Sequence, residues 1–147
     1  MSFLIEEVKL LEKINKLPEV LVQIIESFIP LSVKVFLNKT YYLKFHKELR
    51  QRINRRQIEN YIRTMVRQDN DFVFTHLLVE NYRRWLTMRN YYYKSSIYAN
   101  YIYFLQSYCI ENESTKCKEL IKELLQELGL SKNQHKKNTI KYIRWKT

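Results

Sequence analysis

Apolar residues recur three and four positions apart along almost the whole chain, the spacing of one face of an α-helix. Phe3, Leu4, Ile5, Val8, Leu11 and Ile14 alternate with Glu6, Glu7, Lys9, Glu12 and Lys13, and Ser2 stands where an N-cap belongs. This predicts a first amphipathic helix ending near Asn15. Leu17 and Pro18 open a second, because proline suits the first helical turn, and Val20, Leu21, Ile24, Ile25 and Phe28 form its apolar face. Pro30 ends it, since the residue before a proline avoids the helical region. A short third helix passes through Leu31, Val33, Val35, Phe36 and Leu37, and a fourth, capped by Thr40, carries Tyr41, Tyr42, Leu43, Phe45, Leu49 and Ile53.

Beyond a break near Asn54, Ile58, Tyr61, Ile62, Met65 and Val66 mark the next stripe. Asp69, Asn70 and Asp71 form a capping cluster ahead of a long apolar run from Phe72 to Leu86. Residues 90–96 read as a loop. The tyrosines at 91–93 have strand propensity, but the run is short and no partner with turn residues lies beside it. Residues 97–110 are apolar nearly all round, which predicts a central buried helix. Ser114 caps another, with Leu120, Ile121, Leu124, Leu125 and Leu128 on one face and Gly129 just past its end. Ser131 with Gln134 has capping-box spacing and opens a last, basic helix through Ile140, Ile143 and Trp145.

The expected fold is therefore all-α: a single compact multi-helix domain over residues 1–147, of about eight helices. Within it, residues 17–53 are a three-helix segment, 54–130 the helical core and 131–147 the basic C-terminal helix. One glycine and two prolines in 147 residues exclude sandwiches and barrels, which need frequent turn residues. They also exclude the glycine-rich loops that cradle phosphates.

Charge sharpens the picture. The formal net charge is +11, and it is unevenly placed. Residues 1–30 hold three lysines and five glutamates, residues 31–70 ten basic and three acidic groups, and residues 71–130 seven of each. Residues 131–147 hold six basic groups and no acid. Such a field attracts nucleic acid, anionic headgroups or an acidic protein face without choosing among them. The candidate phosphate-contacting residues are Arg55, Arg56, Arg63, Arg67, Lys132, Lys136, Lys137 and Lys141, with tyrosines nearby to stack on unpaired bases. The same residues would equally serve as the solvated face of helices whose other side is core. Lysine, isoleucine, tyrosine and asparagine are abundant while alanine and glycine occur once each, a bias that A/T-rich codons alone produce.

Catalytic chemistry finds little support. His46, His76 and His135 fall on different expected helices, no nucleophile-elbow motif occurs, and nothing local supplies an acid, a base or a metal set. Cys109 and Cys117 lack zinc-ligand spacing and companion histidines. No catalytic residue, metal or cofactor is expected. Ser2 to Leu11 carries Glu6, Glu7 and Lys9 within its apolar stretch, unlike a signal peptide, and no run has the length of a membrane span. The chain is expected to be intracellular.

One segment resembles a known module. Leu17-Pro18-Glu19, the apolar positions Leu21, Ile24 and Ile25, then Ser27 to Pro30 and Asn38 to Tyr41 resemble the F-box. Its pattern is a Leu-Pro start, a short amphipathic helix ending in a second Leu-Pro-like pair, and a Val-x-Lys-x-Trp-like close. Leu17 and Pro18 match the start, Ile29 and Pro30 the middle, and Lys39 with Tyr41 the close. Ser32 and Val33 stand where the family has an acidic residue, and Tyr41 where it has tryptophan. The resemblance implies a three-helix segment with a partner-binding face of Leu17, Pro18, Leu21, Ile24, Ile25 and Pro30, and as partner a Skp1-type adaptor of the ubiquitin-ligase machinery. The alternative is that these side chains pack on the chain's own first helix.

The stretches at residues 67–74, 109–114, 129–138 and 143–145 resemble the downstream part of short uncharacterised proteins of large DNA viruses of algae and protists that begin with such a segment. That likeness implies an intracellular site in a host, cytoplasm or nucleus, or a place in the virion. The leading expectation is a non-enzymatic interaction protein, an F-box-like adaptor. The alternatives are a basic protein binding nucleic acid or another polyanion, and a structural component of a virus particle.

Overall fold

Prolines and asparagines punctuate the helices, and nearly every corner can be traced to one of them. The computed structural model describes residues 16–130 and the backbone of residues 139–142. The expected first helix from Ser2 to Asn15 and the Ser131–Gln134 capping box lie outside the described residues. The chain divides between Ile53 and Asn54 into two compact units.

In the first unit, α1 (Glu19–Phe28) starts from Pro18, whose carbonyl accepts from the Leu21 and Val22 amides. Ile29 is extended, as the residue before Pro30 must be, and α2 (Leu31–Lys34) follows. The N-cap of α3 (Lys39–Arg52) is Asn38 rather than Thr40, its side-chain oxygen accepting from the Tyr41 amide at 2.8 Å. Glu26 ties the three helices together. Its carboxylate accepts from the Tyr41 hydroxyl, and its carbonyl accepts from Lys34 Nζ at 3.2 Å. The same ammonium lies 5.5 Å from the Phe45 ring. Val35 and Tyr42 are the buried side chains here.

The second unit holds α4 (Arg55–Arg67), α5 (Asp71–Thr87), strands β1 (Arg89–Tyr93) and β2 (Ser96–Asn100), then α6 (Tyr101–Glu111), α7 (Thr115–Glu127) and strand β3 (Thr139–Tyr142). Asn54 and Gln57 form a complete capping box on α4, and Asn70 caps α5. At the centre lies α6, packed by α4, α5, α7 and both hairpin strands. Tyr101, Ile102, Phe104, Leu105, Tyr108 and Cys109 are all buried. Phe104 is the hub, its ring within 6 Å of those of Tyr91, Tyr93, Tyr98, Tyr101 and Tyr108.

The described chain is mainly helical, with seven helices, but it is not all-α. Residues 90–96 are not a loop, and the central helix does not begin at 97. β1 and β2 pair antiparallel, Tyr91 opposite Tyr98 and Tyr93 opposite Ser96, closed by Lys94 and Ser95. Lys94 takes a positive φ of 50°, a conformation for which a sequence reading looks to glycine or asparagine. Alternation along β1 turns Tyr91 and Tyr93 onto α6, and that packing supplies the sheet's stability. Asn100 ends β2 and caps α6 by accepting from the Tyr103 amide. β3 lies antiparallel on the other edge of β2, with Ile97 opposite Lys141. Residues 139–142 of the expected basic helix are therefore strand, because that stretch of the backbone hydrogen-bonds to β2 rather than to itself.

Three helices of this unit end in Schellman motifs although the chain has one glycine. Gly129 closes α7 at φ 68°, Asp69 closes α4 at 47° and Glu113 closes α6 at 57°. Asp69 performs a second task. Ser114 occupies the N-cap of α7, yet its hydroxyl donates to the Val66 carbonyl at 2.6 Å. The cap is supplied across the fold by the Asp69 carboxylate, which accepts from the Cys117 amide at 2.9 Å and the Lys116 amide at 3.1 Å. Burial opposes its charge, but those donors outweigh it and hold the carboxyl below its ordinary value.

Phe104→Ala is expected to lower the unfolding free energy by about 3–5 kcal/mol in urea titrations. Asp69→Ala should cost about 1 kcal/mol. Because the folded carboxyl titrates below its unfolded value, the Asp69 contribution is complete above that unfolded value and is lost as pH falls through the folded one. The difference in melting temperature between parent and variant should therefore narrow on acidification.

Candidate interaction surfaces

An amphipathic helix normally forms because its apolar face is covered. α1 departs from this: none of its side chains is buried. Leu21 is 45% exposed, Ile24 and Ile25 49% each, and Phe28 81%. Leu17 is half-buried, while Pro18 and Pro30 are exposed. The residues expected to form a partner-binding face are thus predominantly open to solvent. Val33, Phe36 and Leu37, on and just after α2, extend the exposed apolar set within the same unit. The sequence pattern ran a short third helix through these three, and periodicity says which residues share a face and not whether anything covers it.

The second unit presents a surface of opposite character along α4. Arg56, Arg63 and Arg67 are spaced seven and four residues apart and so lie along one side of the helix. Arg63 donates to the Asn60 side-chain oxygen, Arg67 to the Thr64 hydroxyl at 3.1 Å. The Arg63 guanidinium also lies 5.6 Å from the Tyr93 ring, with the Lys94 ammonium 5.3 Å from the same ring. Two carboxylates sit in this neighbourhood, and each has a cation: Glu59 with Arg55 at 3.9 Å and Glu111 with Lys94 at 2.8 Å. Arg56, Arg63, Arg67 and Arg84 pair with no carboxylate among the described residues. Burial pushes the Tyr91 hydroxyl up to about 12, reinforced by Glu59 and opposed by Arg63, so the phenol stays neutral beside the arginines.

At the N-terminal end of α4, Arg55 and Arg84 line an open pocket of about 360 Å³ with Ile58 and Met88. Arg84 was not among the expected contacts, because it comes from α5 and only the packing of α4 on α5 brings it there. Tyr92, also missed, points away from Tyr91 and Tyr93 and is 66% exposed. Of the remaining expected contacts, Lys132, Lys136 and Lys137 lie outside the described residues, and Lys141 lies in β3 opposite Ile97. A second groove of about 340 Å³ between α5 and α7 carries Val79, Leu124, Glu123 and Glu127 and has the wrong charge to belong to the cationic surface.

The described histidines fall in different units. His46 stacks on Tyr42 in the first unit, whereas His76 packs edge-on to Phe72 in the second; His135 lies outside them. No three of His, Cys, Asp or Glu cluster as metal ligands among the described residues. None of the helices among these residues is long and apolar enough to cross a membrane. Cys109 and Cys117 are both buried free thiols; burial pushes Cys109 up to about 12 and raises Cys117 as well. Comparison with protein-family models, with curated proteins and with solved structures finds no match for this chain.

Both thiols should resist Ellman's reagent at pH 8 in the folded protein and react fully in denaturant. Rapid reaction of either in native buffer would contradict their enclosure.

Proposed function

We propose that this chain is a non-enzymatic interaction protein whose first unit recruits a protein partner in the manner of an F-box-like adaptor. The observation that carries the reading is the exposed apolar face of α1, which no described residue covers. A contiguous set of large apolar side chains left open on short helices is the usual mark of a surface that another protein covers. The likeness of residues 17–41 to the F-box, with Pro18 and Pro30 each heading a short helix, supports a Skp1-type adaptor as that partner. Leu21, Ile24, Ile25 and Phe28 are the anchors. Glu26 holds α1, α2 and α3 in register, so the anchors are presented on a preorganised frame. Such a role places the protein inside a cell, where that machinery operates.

A structural role in a virus particle rests on the same exposed face, which copies of the chain would then cover. The two readings separate in one experiment. Calorimetric titration with a purified Skp1-type adaptor should give saturable binding, and Ile24→Ser with Ile25→Ser should weaken it about tenfold or more. Because both side chains are half exposed, the double variant should keep its melting temperature and circular dichroism. Concentration-dependent self-association by sedimentation without adaptor binding would favour the particle component and refute the adaptor.

A further inference from the structure

The observations on α4 go beyond a partner-recruiting role, because they lie in the other unit and have the opposite chemistry. We infer that the second unit binds single-stranded nucleic acid along α4, with its phosphates on Arg56, Arg63 and Arg67 and one nucleotide seated in the pocket between Arg55 and Arg84.

Three features point to this ligand. The first is the uncompensated charge: a row of guanidiniums about 16 Å long at 1.5 Å per residue has no carboxylate partner among the described residues, while the nearby Glu59 and Glu111 are already engaged. The second is preorganisation. Arg63 is held from both sides, by the Asn60 side chain and by the Tyr93 ring, and Tyr93 is itself packed on Phe104 and Tyr108. A cation fixed on an aromatic support gives up little freedom when it meets a phosphate. The third is the pocket, where an apolar floor of Ile58 and Met88 lies between two arginines. A flat base on the floor with a phosphate between the guanidiniums satisfies both kinds of lining, and guanidinium planes stack on bases.

Duplex fits this surface less well. The pocket is what disfavours it. Bases in a duplex are stacked on one another and cannot reach a pocket. The arrangement holds no matched set of side chains for base edges, so binding is indifferent to sequence.

The test uses the full chain and fluorescence anisotropy with labelled twelve-nucleotide oligo-U, oligo-dT and a twelve-base-pair duplex, with heparin and anionic vesicles as competitors. Both single strands should bind more tightly than the duplex, and any preference between them assigns RNA or DNA. Arg56→Gln, Arg63→Gln and Arg67→Gln together should reduce the slope of log affinity against log salt by about two. Met88→Ser removes pocket floor without changing charge; it should weaken single-strand binding several-fold and leave heparin binding and the salt slope as they were. Ile24→Ser with Ile25→Ser should leave all of this intact, which separates failure here from failure of the adaptor role. Circular dichroism and melting temperature confirm that each variant folds. An unchanged salt slope in the triple variant, tighter binding to duplex, or binding to vesicles alone would each overturn the inference.

Discussion

The contact of Phe104 with five tyrosine rings is the interaction on which the second unit depends. Aromatic side chains bury the largest area per residue and favour tilted or edge-on neighbours, and most of these pairs are so arranged. Tyr101 and Tyr108 reach Phe104 from its own helix, one turn before and after it, while Tyr91, Tyr93 and Tyr98 come from the hairpin. An isolated two-stranded hairpin is marginal in water. Seated on α6 it becomes part of the core, and α6 in turn is covered on the side that α4, α5 and α7 leave open.

That seating also decides the chemistry of the surface. With Tyr91 and Tyr93 turned inward, strand alternation turns Tyr92 out to solvent. Tyr93, at the edge of the aromatic cluster, supports the Arg63 guanidinium and the Lys94 ammonium. The cationic row of α4 is thereby tied to the core by one ring. The first unit works by a different rule: polar contacts around Glu26 join its described helices, and the apolar residues described there stay largely outside. One unit thus offers apolar side chains and the other offers charge.

A chain with a single glycine must turn its corners with other residues. Asp69, Asn90, Lys94 and Glu113 all adopt positive φ, which costs a non-glycine residue about 1 kcal/mol or more. At Asp69 the expense is offset, because the same corner aims the carboxylate at the start of α7. A residue that ends one helix thus begins another some forty-five positions away, and Ser114 is released to donate to Val66.

Local periodicity was enough to show that the described helices exist, though not where α6 begins, because which residues share a helix face depends only on spacing. Asn54, Asn70 and Gly129 were legible as punctuation for the same reason: such caps act within four residues of themselves, whereas Ser114 marks where α7 starts and the cap itself comes from distant Asp69. The imbalance of charge along the chain is likewise a property of the sequence alone. What tertiary structure decided was everything requiring a distant partner. Residues 96–100 have an apolar composition that suits helix or strand, and the tyrosines of β1 together with the aromatic face of α6 made them strand. Residues 139–142 became strand through pairing with β2. Arg84 joined Arg55 through the packing of α5 on α4, and among the described residues the face of α1 stayed open because nothing in its own spacing dictates a cover. A pattern along the chain records which side chains point together; only the fold determines what they meet.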